Sequence, residues 1–109
     1  MFKIINFSGD TIRLDDCGVS RSVTDACRRS GTAVEGIVAL KDAVSLVCSE
    51  NCDAQIRHEY RFTALGRVSY EDICAILRCR YDNEFRTVGV FPLADGYWSL
   101  TEKILTGKQ

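Results

Sequence analysis

Apolar and polar residues alternate with a period of two along most of this chain. The stretch Gln55 to Leu65 shows it best: Ile56, His58, Tyr60 and Phe62 stand against Arg57, Glu59 and Arg61. That pattern predicts a half-buried strand with an arginine-rich outer face. Phe2 to Phe7 reads as another strand, with Phe2 and Ile4 on one face and Ile5 and Phe7 on the other. Ser8, Gly9 and Asp10 supply turn chemistry, and Ile12 and Leu14 then share a face, so Thr11 to Asp15 is expected to return as the second arm of a hairpin. Thr32 to Leu40 is rich in β-branched and small residues, with apolar positions on both faces. Ala43 to Ser49 places Val44, Leu46 and Cys48 together after a turn at Lys41 and Asp42. Phe85 to Phe91 reads as a strand, and Pro92 either ends it or marks it as an edge. Asp95-Gly96 is a hairpin signal, because a type I′ turn needs positive φ at both central positions. Tyr97 to Ile104 closes the set with Trp98, Leu100 and Ile104 on one side, and Thr106 to Gln109 reads as a frayed tail.

The period changes over Val68 to Tyr81. Ser69 is placed to cap a helix, and Glu71 and Asp72 suit the positive end of its dipole. Tyr70, Ile73, Leu77 and Tyr81 recur three and four apart, which makes one apolar stripe. The expected role of that stripe is to cover a sheet. A second, short helix is expected at about 22–30, with Val23, Ala26 and Cys27 inward and Gly31 as its stop. A strand through Val19, Arg21 and Val23 is the competing reading of that stretch. Together these elements predict one α+β domain over residues 1–109. Its architecture is a single antiparallel sheet of about five to seven strands packed by one main helix, about 70–82, and a second short one. No internal repeat is visible in the sequence.

Composition narrows the function classes. The chain has 109 residues, 46% of them hydrophobic, which is ordinary for one folded domain. Fourteen basic and fifteen acidic residues leave a net charge of -1. A general nucleic-acid binder carries a basic excess and a DNA mimic an acidic one, so nucleic acid is an unlikely partner on charge alone. The basic cluster Arg21, Arg28 and Arg29 and the pair Arg78 and Arg80 have acids nearby and no interleaved aromatics. No stretch reaches the ~18 apolar residues of a membrane span, and Met1 to Phe7 lacks the form of a signal peptide. The expectation is a cytoplasmic protein with no membrane association. Its six cysteines are then reduced thiols, metal ligands or reactive groups.

The cysteines are the best chemical candidates. Cys48 and Cys52 have the spacing of a zinc chelate loop, His58 follows six positions later, and Cys74 could add a fourth ligand from the helix. Such a site would be a structural zinc that staples a small domain. Against it, Cys74 and Cys79 are five apart, which turns their side chains about 140° from each other on a helix. The competing reading is a set of small buried hydrophobes. A cysteine nucleophile would need His58, the only histidine, as its base, and no local signature surrounds any cysteine. The adjacent pairs Asp15–Asp16 and Glu71–Asp72 are explained by strand alternation and helix capping. The glycines are scattered singly and form no phosphate cradle.

No constellation carries catalysis, so the sequence points to a non-enzymatic protein-binding module. Ten of the fourteen basic residues are arginines, which favour planar contacts to carboxylates. Arg57, Arg61, Arg78 and Arg80 are the candidate partner-binding residues. Tyr60, Tyr70, Tyr81, Tyr97 and Trp98 are the aromatic ones, and any of them exposed beside an arginine is the expected hot spot. A phage- or mobile-element-encoded inhibitor of a host protein, of which anti-CRISPR proteins are an example, is one class of such modules, offered as a prior. No residue matches a motif of that class. The alternatives are a zinc-stabilised regulatory module and a small enzyme with a site centred on His58 or a cysteine.

Overall fold

The computed structural model describes the backbone of residues 2–50, 56–93 and 96–106, and the side chains of residues 3–50, 58–93 and 96–104. The chain is α+β, with β1 (Phe2–Ser8), α1 (Gly9–Leu14), α2 (Asp16–Ser30), β2 (Thr32–Leu40), β3 (Ala43–Glu50), β4 (Ile56–Gly66), α3 (Tyr70–Asp82), β5 (Phe85–Leu93) and β6 (Gly96–Thr106). The strands form two antiparallel three-stranded sheets, not the single larger sheet expected. Their orders are β1-β3-β2 and β4-β6-β5.

Those two orders are the same order, and the chain is an internal repeat. Each half runs strand, helix, strand, strand, with the last strand in the middle, and the first half adds the short helix α1 before α2. Shifting the first half by 53 residues lays Thr32–Leu40 on Phe85–Leu93 and the start of β3 on the start of β6. The left-handed residue after each helix coincides as well: Gly31 has φ 66° and Glu84 has φ 71°. So does the bulge in each second strand, which falls between Val34 and Gly36 and between Thr87 and Gly89. The repeat is one of topology, and the sequence does not show it. Few residues are identical at matching positions, Gly36 with Gly89 and Leu40 with Leu93 among them. A fold needs only the pattern of faces, caps and bulges, which many residues satisfy.

The expected hairpin arm at Thr11 to Asp15 is instead the short helix α1. Ser8 caps it by accepting the Thr11 N–H at 3.2 Å, while Asp10 and Arg13 pair one turn apart. Local capping outweighs a two-residue alternation: Ile12 is buried and Leu14 is 85% exposed, so they do not share a face. The second helix is longer than expected because Asp15 caps it, accepting the Gly18 N–H at 3.1 Å.

Val44, Leu46 and Cys48 on β3 and Phe62, Phe91 and Leu100 on the second sheet meet in one core. Helix α2 fills the gap beside them with Val19, Val23 and Cys27. It also closes the open edge of β4. Ser20 Oγ accepts the Phe62 N–H at 2.8 Å and Thr24 Oγ1 accepts the Tyr60 N–H at 2.9 Å. Each hydroxyl in turn donates into its own helix, to Asp16 O at 2.6 Å and Ser20 O at 3.0 Å. An edge strand is thereby satisfied by side chains instead of a neighbouring strand. Above this layer Val34 N–H donates to the Tyr60 hydroxyl at 2.7 Å, and that hydroxyl donates to Glu102 Oε2 at 2.6 Å. Arg86 donates to the other carboxylate oxygen, so the buried Glu102 is fully partnered.

Candidate functional site

Helix α3 packs on the face of the second sheet opposite the core. It was expected to be the organising helix, yet none of its residues is fully buried; α2 has that role. Ile73, Ile76, Leu77 and Arg80 are its half-buried residues. Of the expected stripe Tyr70, Ile73, Leu77 and Tyr81, Ile73 and Leu77 are half-buried and the two tyrosines are exposed. The helix is thus rolled by roughly 50° from that expectation. The cause lies in what it covers. The matching sheet face offers Ser99 and Thr101, both fully buried, and not a bed of large apolar side chains. Arg80 turns inward and donates to Ser99 Oγ at 2.6 Å. Burial and the neighbouring Arg61 both pull the Arg80 guanidinium below its ordinary range.

The roll leaves a different stripe in water. Tyr70 is 80% exposed and Tyr81 69%. With Cys74 and Arg78, both exposed, they lie within an arc of about 80° on the solvent side of α3. Cys74 lies one turn from Tyr70 on this face, and that neighbour raises the Tyr70 phenol above its ordinary range. Beside the helix, the exposed Arg61 guanidinium sits 4.8 Å from the centre of the Phe85 ring, with Lys103 at 5.5 Å. Of the four candidate arginines, Arg61, Arg78 and Arg80 therefore belong to one side of the molecule. The side chain of Arg57 lies outside the described residues. Among the aromatic candidates Tyr60 and Trp98 are core residues, while Tyr70, Tyr81 and Tyr97 reach solvent.

Of the four candidate zinc ligands, the three whose side chains are described lie apart. Cys48 is fully buried on the core face of the first sheet, in the same core cluster as Cys27. Cys74 is exposed on α3, beyond the far face of the second sheet. His58 lies half-buried on β4, beside Tyr60. Cys52 lies outside the described residues. Among the described residues no group of three or more metal-ligating side chains comes together. A groove of about 550 Å³ runs between α2 and β4, lined by Asp16, Arg21, Asp25, Arg28, Glu59 and Arg61 among others. Its charges alternate in sign, so it selects neither an anion nor a cation. No helix among the described residues is long and apolar enough to cross a membrane.

The buried thiols have a measurable consequence. Burial, together with the neighbouring Cys27, pushes the Cys48 thiol from its ordinary 9.0 up to about 12, and burial raises Cys27 as well. The folded protein keeps these protons while the unfolded chain releases them above pH 9. Stability is therefore complete below about pH 9 and falls as pH rises through the range in which the unfolded chain has released these protons and the folded protein still holds them. Tyr60, raised by burial and by its bond to Glu102, adds to the fall above pH 10. Urea unfolding at pH 8 and pH 10.5 checks this, and equal stabilities would contradict it. At pH 8 a thiol reagent should label Cys17, Cys74 and Cys79 in the native protein and reach Cys27 and Cys48 only after unfolding.

Two features carried no recognisable signal in the sequence. Glu102 is buried in mid-strand, where an isolated glutamate reads as an outward residue. Ser20 and Thr24 read as an ordinary polar helix face, and their spacing of four was the only hint of a shared task. Comparison of the chain with protein-family models, with curated proteins and with solved structures finds no match.

Proposed function

We propose that this is a non-enzymatic protein-binding module whose contact surface is the solvent face of α3. The observation that supports this reading is the exposed stripe Tyr70, Cys74, Arg78 and Tyr81. Tyrosine and arginine dominate the energetics of protein interfaces, because they combine area, few rotors and directional hydrogen bonds. Two tyrosines left in water on a helix that had the alternative of burying them make a poor surface for a module that binds nothing. Arg78 on the same arc offers a planar fork for a carboxylate of the partner. Arg61 and the Phe85 ring extend the same side. The near-neutral net charge favours a protein partner over nucleic acid. An inhibitor of a host protein, of the anti-CRISPR kind, is one role such a module could fill.

The test is affinity capture from a lysate of the source cell with the native chain and with the triple variant Tyr70→Ala, Arg78→Ala, Tyr81→Ala. The native chain should retain a protein in stoichiometric amount. The variant should fold normally, since all three side chains are exposed, and should lose at least tenfold in binding, about 1.4 kcal/mol. Equal retention by both chains, or no stoichiometric protein on either, would reject the reading.

A further inference from the structure

The repeat assigns every position of the first sheet a counterpart in the second. Across β3 and β6, Val47 corresponds to Leu100 and Ser45 to Trp98. Their neighbours follow from the pairing: Ile4 answers to Phe62, Val38 to Phe91 and Leu40 to Leu93. The second member of each pair is core. Phe62, Phe91, Leu93 and Leu100 are between 0% and 4% exposed. The first members are in water, Ile4 at 50%, Val38 at 48% and Leu40 at 62%. One face of this sheet fold is thus buried against another sheet in the second half and bare in the first.

The bare face also lacks charge. Strand alternation and register place Ile4, Asn6 and Ser8 of β1, Ala43, Ser45, Val47 and Ser49 of β3, and Ala33, Gly36, Val38 and Leu40 of β2 on it. None of these is ionisable, in a chain that is 27% charged; the exposed Glu35 stands in the bulge of β2, outside the alternation. Even its most polar side chain is satisfied within the face: Ser45 Oγ donates to Asn6 Oδ1 at 2.6 Å. A sheet face that only meets solvent alternates apolar-in with polar-out and normally carries charges. Absence of charge is the mark of an interface centre, and most of all of homodimer interfaces.

We infer that this face is where a second copy of the chain docks, sheet on sheet, about a twofold axis. Three observations select that occupant. An uncharged face matches a surface as uncharged as itself, and its own copy supplies one at equal concentration. The equivalent face in the second half is already covered by a sheet of this same chain. The head-to-tail alternative would seat the bare face on the counterpart of the first sheet's core face, the side of the second sheet carrying Ser99 and Thr101. That side is occupied by α3 and held by the Arg80–Ser99 bond. The contact is therefore isologous and closes at two copies, without growing into a filament. Three strands of about eight residues make a face of roughly 14 by 26 Å. That is about 360 Å² per copy, less than a standard stable interface buries, so the pair is a weak one whose population depends on concentration.

Sedimentation equilibrium of the whole chain from about 1 µM to about 500 µM, a range that reaches weak pairing, tests the inference. The native chain should shift from the mass of one copy to that of two. Val38→Asp should weaken the pair by at least a hundredfold, because a twofold axis brings the new charge in twice. Leu40→Lys is the second variant, of opposite sign, and should act alike. Far-ultraviolet circular dichroism and the melting temperature at low concentration should stay native for both, since both positions are exposed. A native chain that remains a single copy throughout overturns the inference. So does a pair that forms equally well in both variants, or one that grows beyond two copies. Neither substitution touches α3, so capture of a partner by the α3 stripe is read independently.

Discussion

Phe62→Ala should come close to unfolding the protein. The ring is 1% exposed and lies where the two sheets meet. It stands edge-on to Phe7 of the first sheet, 6.4 Å between centroids, and edge-on to Phe91 of its own sheet at 6.1 Å. Leu100 lies opposite it across the strand pair. Removing the ring takes away burial, two aromatic contacts and the filler between layers, and the surrounding strands cannot collapse into the gap without breaking their ladders. The expected loss is about 3–5 kcal/mol. Domains of this size are typically stable by about 5–15 kcal/mol in total, so much of the margin goes. Urea denaturation of Phe62→Ala beside Phe62→Leu measures it. A loss under about 1 kcal/mol for the alanine variant would mean the two sheets are not packed through this residue.

The second large effect is expected at Glu102. Its carboxylate is 1% exposed and has two partners, the Tyr60 hydroxyl and Arg86. A buried ion that loses its counter-charge is worse than no ion. Arg86→Ala should therefore destabilise by about 3 kcal/mol, although the arginine side chain itself is 62% exposed. Tyr60→Phe removes the other donor and also the acceptor of the Val34 N–H, at about 2–3 kcal/mol. The distinguishing measurement is the double variant Arg86→Ala, Glu102→Leu. With the charge gone there is nothing to leave unpaired, so it should be more stable than Arg86→Ala alone. If the two losses simply add, Glu102 and Arg86 are not coupled and this account of the network is wrong.

Both effects arise at the seam between the two halves, and the seam is where reading the sequence ran out. The strands were legible because alternation is a local property. The boundaries expected for β1, β2, β3 and β5 agree closely with those found. The helix at Tyr70 was legible from Ser69 and its first-turn acids, and Ser69 does accept the Asp72 N–H at 3.2 Å. Thr11 to Asp15 was misread because two apolar residues two apart fit a strand, while a single capping serine fits a helix. The better-satisfied backbone prevails. The site was half legible. Arg78 and the tyrosines were singled out by type, but which of them faced water depended on what lay beneath α3.

Alternation, caps and turn residues act over a few positions, so the sequence by itself determined an antiparallel α+β chain and the location of most of its strands. It could not decide how many sheets those strands make, since pairing joins residues far apart and any alternating strand can pair with another. Nor could it decide which face of each sheet is core. The two halves have the same topology and present the same face to opposite fates, Phe62 inside and Ile4 in water. Only the packing of one half on the other made that choice, because burial is a property of what lies opposite a residue and not of the residue.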